Sequence, residues 1–345
     1  MNMSTKHVVI LKNDAVGDLV HSLKGIYNVT NNNDFNKITI FVSQFSKKFD
    51  FLFKNSKVNT KVVNYNLTVL EKLNLFLFFL INKIDRVYIL SPKNFYYYLP
   101  LFFFRTKFYA LCVDNVRDYK RPSLFLRKFL FKYVINDRSA IFKRKSTAEI
   151  QNELTKKVNE INNKINIKTN FSDKLKRNLP KDYMYFHAKR KILDELGWGI
   201  EDIKLLFNEI LKYSNSLVVT KDIEIDKNTK IFKDNFNSYD FKTSKFIDNS
   251  NKVLFFDNID GEDLYNIIRN SKKVIAFHGM MTNIASINHQ KVLDLFYCNI
   301  NNWDDYRNYR NSFYEFKPCY SGYDFTIPSK NIHKTIKKIR FSLKK

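Results

Sequence analysis

The chain has 345 residues, which at about 100–200 residues per domain predicts two domains. Its hydrophobic content of 44% and aromatic content of 16% exclude a disordered chain. Lys and Arg number 59 against 34 Asp and Glu, a net charge of +25, and the three scattered cysteines (Cys112, Cys298, Cys319) exclude a disulfide framework or a zinc site by spacing. The cysteine usage fits a reducing compartment, so a cytoplasmic protein is expected. The opening residues Met1 to Lys6 are polar, and His7–Leu11 is too short for a signal h-region. The apolar stretch Leu73–Ile81 is too short to span a bilayer, which takes about 20 residues. Asn, Lys, Ile, Phe and Tyr are abundant and Gly, Ala and Pro scarce. That bias is what AT-rich coding produces, so part of the basicity needs no anionic partner.

In chain order, His7–Leu11 (HVVIL) reads as a buried strand, followed by a polar turn over Lys12–Gly17. Asp18 then opens an amphipathic helix carrying Leu19, Val20, Leu23 and Ile26 on one face. Lys37–Val42 and Val58–Val63 are strands, Asn66–Asn82 has helical length, and Arg86–Leu90 and Phe108–Val113 are further strands. Lys120–Ile135 is basic and aromatic, and Arg144–Lys176 is polar and helical in pattern. Pro180 among charges marks a boundary, placed between 176 and 177. Beyond it Tyr183–His187 is a strand, Ile200–Tyr213 a helix, and Ser216–Thr220 and Lys252–Phe256 are strands. Gly261–Asn270 is a helix capped by Asp260, Lys273–Phe277 a strand, Gly279–Ile287 a helix and Lys291–Phe296 a strand. A basic helix, Ile332–Leu343, closes the chain. Strands alternating with helices predict parallel sheets covered on both faces. The expected segments are 1–176, 177–327 and a terminal helix in 328–345 packing back on the first domain.

Seven glycines are few for this length, since usage averages about 7%. Gly17 and Gly279 each stand where a strand hands over to a helix, where backbone can approach a phosphate or sugar. Asp18 lies just past a buried strand and can serve as general base or as plain N-cap. His21, one turn on, reads as a half-buried helix histidine. Three cations, Lys189, Arg190 and Lys191, follow a strand directly and suit the negative charge that develops on a phosphate leaving group, or form a solvated turn. His278 and Thr282 bracket a strand–Gly–helix junction suited to phosphate. Met280 and Met281 read as core, and Glu262 as an acid favoured at a helix N-terminus. Phosphate-loop, dinucleotide-fingerprint and nucleophile-elbow motifs are absent.

The segment from Asn13 through Leu23 resembles the N-terminal motif of glycosyltransferase family 9, the heptosyltransferase-like enzymes of lipopolysaccharide assembly. That motif reads Gly-Asp-x-x-His-(Ser/Thr)-Leu-Pro. Gly17, Asp18, His21, Ser22 and Leu23 match it, and Lys24 replaces the proline. The stretch Asp260–Ile287 is similar to the family's donor region, Asp-(Ser/Thr)-Gly-x-x-His-x-Ala. There Gly279 matches, while Phe277, His278 and Thr282 replace Asp, Ser or Thr, and His. The resemblance implies an α/β, GT-B type fold: two Rossmann-like domains with parallel sheets facing a central cleft. It implies Asp18 as catalytic base, Asn13, Gly17 and His21 on the acceptor side, and Lys189, Arg190, Lys191, Glu262, His278, Gly279, Met280 and Thr282 on the donor side. A nucleotide-sugar donor, a glycan or lipid-linked acceptor, and no metal or other cofactor are expected. The basic, aromatic stretch Lys120–Tyr133 suits peripheral contact with an anionic membrane, or closes the first domain as an amphipathic helix. A basic nucleic-acid-binding protein and a transferase fold without catalysis are the alternatives.

Overall fold

The computed structural model describes residues 6–114, 122–137, 146–156, 167–221, 229–240, 242, 245–247, 252–297 and 322–344. Cys298, Cys319, the start of Lys120–Tyr133 and parts of Met1–Lys6 and Arg144–Lys176 lie outside them. The chain divides into two compact units, one reaching Lys168 and the other starting at Thr169.

The first unit is built on β1 (His7–Lys12), β2 (Lys37–Ser43), β3 (Val58–Val63), β4 (Arg86–Ile89), β5 (Lys107–Asp114) and β6 (Lys132–Asp137). They form one parallel sheet in the order β3-β2-β1-β4-β5-β6. The central strand β1 is buried at every position, which is why its sequence is continuously apolar rather than alternating. Its helices are α1 (Val16–His21), α2 (Leu23–Thr30), α3 (Val69–Ile81), α4 (Asn94–Tyr98), α5 (Leu124–Arg127) and α6 (Thr147–Thr155). Leu75 and Phe79 of α3, Tyr96 and Tyr97 of α4 and Leu126 of α5 share one cluster with Val9, Leu11, Val87 and Ile89. These three helices therefore lie on one sheet face. α2 packs with α6, and a side chain at Gly25 would come 3.0 Å from the Gln151 carbonyl oxygen.

The second unit repeats this order. Its strands are β7 (Met184–Ala188), β8 (Leu217–Lys221), β9 (Asn237–Asp240), β10 (Lys245–Ile247), β11 (Val253–Asp257), β12 (Val274–Phe277), β13 (Val292–Leu295) and β14 (Tyr323–Thr326). The sheet runs β10-β9-β11-β8-β7-β12-β13-β14, and only β10 is antiparallel to its neighbour. Around it lie α7 (Asp173–Asn178), α8 (Arg190–Leu196), α9 (Ile200–Ile210), α10 (Thr229–Asn235), α11 (Gly261–Asn270), α12 (Met280–Ile287) and α13 (Ile332–Leu343). The core strands β11-β8-β7-β12-β13-β14 match β3-β2-β1-β4-β5-β6 position for position.

Three departures from expectation have physical causes. The division falls at 168/169 because the following segment is tied to α11. Thr169 Oγ1 donates to Asn266 Oδ1 at 2.7 Å, Asn170 N to Glu262 Oε1 at 2.6 Å, and Ser172 Oγ to Asp263 Oδ2 at 2.9 Å. The terminal helix α13 belongs to the second unit, against the expected placement on the first. It packs on α9, where Arg340 forks onto Glu209 at 2.8 and 3.0 Å and holds that carboxyl down to about 2. The described part of Lys120–Tyr133 forms the four-residue α5 and opens edge strand β6 instead of one long helix. Among the described residues no helix is long and apolar enough to cross a membrane.

Candidate functional site

In an open parallel sheet, ligands bind beyond the carboxyl ends of strands where the strand order reverses. In the first unit that point lies between β1 and β4. Leu11 sits opposite Phe41 on one side and Ile89 on the other, so the loops after β1 and β4 emerge side by side. Those loops hold a buried polar cluster. Lys12 Nζ donates to Asp14 Oδ2 at 2.7 Å, Ser91 Oγ donates to the same oxygen at 2.7 Å, and Lys93 Nζ lies 3.9 Å from Asp14 Oδ1. The Asp14 carbonyl accepts from Ser43 and Ser46. Asn13 is fully buried: its amide donates to the carbonyls of Asn64 and Tyr65, and its Oδ1 accepts from Tyr96 at 2.8 Å. Asn13 is thus a structural pin rather than the acceptor-side ligand expected.

Asp18 lies in the first turn of α1, but not as its cap. The cap position is Ala15, in extended backbone with no side-chain bond, so the helix starts two residues earlier than expected. A break at Ser22, whose hydroxyl donates to the Asp18 carbonyl at 2.6 Å, separates α1 from α2. With the capping role removed, the Asp18 carboxyl is half-buried and has no hydrogen-bond partner among the described residues. Burial holds it up to about 6, against the pull of Lys12 and Lys93 and with the push of Asp14. That is an unengaged carboxyl tuned towards neutrality, the condition a general base requires. Gly17 is half-buried beside it, and His21 is buried more deeply than the half-buried position expected.

In the second unit the order reverses between β7 and β12. Ala276 pairs with His187, which brings the residues after β7 next to those after β12. Gly279 has φ 153°, ψ −145°, a conformation that disfavours any side chain, and a Cβ there would lie 4.0 Å from Lys189 Nζ. The three cations after β7 differ in their surroundings. Arg190 is turned to Asp194 at 2.6 Å, with its Nε buried and unpartnered among the described residues. Lys191 is exposed, 3.9 Å from Glu195. Lys189 alone of the three faces the glycine, and its ammonium has no hydrogen bond or ion pair among the described residues, its carbonyl serving only the first turn of α8.

His278 is held by a carboxylate that sequence reasoning passed over. Its Nδ1 is 2.6 Å from Asp294 Oδ2, which also accepts from the Tyr323 hydroxyl at 2.6 Å, and its ring lies 4.3 Å from that of Phe296. Asp294 is fully buried, and its Oδ1 has no partner among the described residues. With Nδ1 engaged, Nε2 is the nitrogen left for a ligand. The signal was present in Lys291–Phe296, where one carboxylate interrupts a buried apolar strand and so demands a partner.

Two of the expected donor residues are otherwise used. Thr282 is fully buried, and its hydroxyl donates to the Gly279 carbonyl at 2.8 Å while accepting from Gly279 N at 3.3 Å. Glu262 accepts the backbone of Asn170. Met281 is core, whereas Met280 is half-buried in the first turn of α12. Phe277, at a polar position of the motif, packs against Phe186 and Trp198.

Gly279→Ala is expected to lower the unfolding free energy by about 1–3 kcal/mol, the range for a non-glycine residue forced into such a conformation. Urea denaturation measures this, and an unchanged midpoint would show that the loop relaxes without strain.

Comparison with solved structures covers nearly the whole chain. A family 9 glycosyl transferase from Veillonella parvula DSM 2008 superposes with TM-score 0.65 at 12% identity, over 98% of this chain and 91% of that one. The E. coli ADP-heptose lps heptosyltransferase II gives TM-score 0.65 at 10% identity, over 98% of both chains. The chain has the GT-B fold. The same fold appears in the UDP-GlcNAc 2-epimerase of Methanocaldococcus jannaschii, with TM-score 0.57, 14% identity and coverage of 99% and 93%. No protein-family profile and no curated sequence matches the chain. At the level of fold, the resemblance read from the two motifs is borne out.

Proposed function

We propose that the protein is an inverting glycosyltransferase. It moves a sugar, heptose-like or other, from a nucleotide-sugar to a glycan or lipid-linked glycan acceptor of the lipopolysaccharide kind, on the cytoplasmic side. The observation that carries this reading is Lys189: an unengaged cation beside a glycine that opens helix α12, at the switch point of the second sheet. A nucleoside diphosphate fits that combination of fixed charge, backbone N–H donors and close backbone approach. In the reaction an acceptor hydroxyl oxygen bonds to the anomeric carbon as the bond from that carbon to the diphosphate breaks. Asp18 takes the hydroxyl proton. Lys189, the α12 N-terminus and His278 Nε2 receive the charge of the departing diphosphate, so the reading calls on no metal. Among the described residues the two sheets, parallel apart from β10, form no recognised nucleic-acid-binding module for the contrasting reading to rest on.

Lys189→Gln is expected to weaken binding of the donor nucleotide about tenfold or more, the scale of one charge-assisted contact at about 1.5–3 kcal/mol. Titration of both proteins with the same nucleotide checks this. The activity itself is tested by incubating the protein with ADP-, GDP- and UDP-sugars and a lipopolysaccharide-core acceptor. Nucleotide release with the sugar joined to acceptor in inverted configuration supports transfer. A sugar that stays on the nucleotide with one centre inverted would replace transfer by epimerisation.

A further inference from the structure

The layer α3–α4–α5 buries one face on the first sheet, and among the described residues nothing covers its other face. On α3, Leu70, Leu73, Leu77, Leu80 and Ile81 are 65, 53, 42, 60 and 81% exposed, spaced along one side of the helix opposite the buried Leu75 and Phe79. Helices of globular proteins carry polar residues on that side, yet here only Asn74 interrupts the stripe. The apolar surface continues beyond α3. The Phe76 ring lies 5.4 Å from that of Phe102, which is 60% exposed, and Phe104 two residues on is 78% exposed. On α5, Leu124 and Phe125 are 78 and 58% exposed. Apolar surface running from α3 onto Phe102, with further exposed apolar groups on α5 of the same layer, marks an interaction site.

The charges around it select the partner. Lys83 follows α3, Arg105 follows Phe104 and Lys128 separates Phe125 from Phe129; all three are exposed, and none has an ion-pair partner among the described residues. The single acid of α3, Glu71, is taken up by its own capping box, accepting from Asn64 and Thr68. A patch of aliphatic and aromatic side chains edged by unpaired cations matches an anionic bilayer, where apolar groups enter the headgroup boundary and cations meet lipid phosphates. A second copy of the chain is a poor match, because two-fold pairing of this face would set the same cations against themselves. We infer that the outer face of α3–α4–α5 is a membrane-docking surface that lays α3 along an anionic phospholipid bilayer. This places the contact mainly on α3, with the stretch ending at Tyr133 at its margin.

The inference stands apart from the transfer reading. Vesicle binding without nucleotide binding would keep this surface and remove that function, and the converse would do the opposite. The experiment is co-sedimentation of the full chain with phosphatidylcholine vesicles, with and without phosphatidylglycerol. Binding is expected to the anionic vesicles and to weaken with salt. The triple variant Leu73→Ser, Leu77→Ser, Leu80→Ser is expected to lower the partition coefficient about tenfold or more, from lost burial of three leucines. Its unfolding midpoint should not fall, since the three side chains are solvent-exposed already. Lys83→Glu with Arg105→Glu should reduce binding and flatten its salt dependence. No binding by the wild type would overturn the inference, as would equal binding by the triple variant. So would wild-type self-association that the triple variant abolishes in the absence of vesicle binding.

Discussion

Asp18→Asn is expected to lower sugar transfer by about 10²–10⁴-fold, the contribution of a positioned general base, while making the fold more stable at neutral pH. The two effects share one cause. Burial raises the Asp18 carboxyl from 3.8 to about 6, so the native state binds its proton more tightly than the unfolded chain does. The stability from that proton is complete below 3.8 and is lost as pH rises through about 6. Above that, the carboxylate costs the fold up to about 3 kcal/mol. Asparagine removes this cost. The gain should be present in urea unfolding at neutral pH and vanish near pH 3. The wild-type kcat/KM should fall as pH drops below about 6, with the proton on the base. A variant that loses stability at neutral pH would show instead that Asp18 is a structural carboxylate.

Asp14→Ala should be the most destabilising single change at the same strand end. Lys12 and Asp14 are both buried, and the Asp14 carboxylate answers Lys12, Lys93 and Ser91 together. Removing it leaves the Lys12 ammonium in the interior without its partner, which costs about 3–5 kcal/mol. The midpoint of urea unfolding should fall accordingly with an unchanged slope. Because Asp14 pushes the Asp18 carboxyl up, any folded Asp14→Ala protein should show its acid limb of activity at lower pH. A loss under about 1 kcal/mol would place the pair in water, where ion pairs contribute little.

The parallel strands were legible because burial on both faces makes them continuous apolar runs, as in His7–Leu11 and Lys273–Phe277. Of the edge strands, β3 was legible as Val58–Val63, but β6 and β14 were not. β6 opens on exposed Lys132 and Tyr133 and β14 on half-buried Tyr323 and Asp324, and their pairing rests on neighbours that no local pattern reveals. α8 was hidden behind the basic run Lys189–Lys191, which reads as a turn until Gly197 ends the helix with φ 70°. At the candidate site, Asp18 and Gly279 were legible through strand–helix junctions. Which of three cations faces the glycine was not, because the register of β7 against β12 decides it. Asn13 and Glu262 have side chains suited to ligands, but each is spent on backbone partners that only the tertiary structure brings near, and Thr282 is spent on the backbone of Gly279 in its own helix cap.

Calorimetric titration with ADP, GDP, UDP and CMP and their sugar conjugates tests the central claim most directly. The account predicts saturable binding to one nucleotide series, weakened by Lys189→Gln and Gly279→Ala and left intact by Asp18→Asn. Absence of binding to every nucleotide, together with tight and strongly salt-dependent binding to RNA, would contradict it.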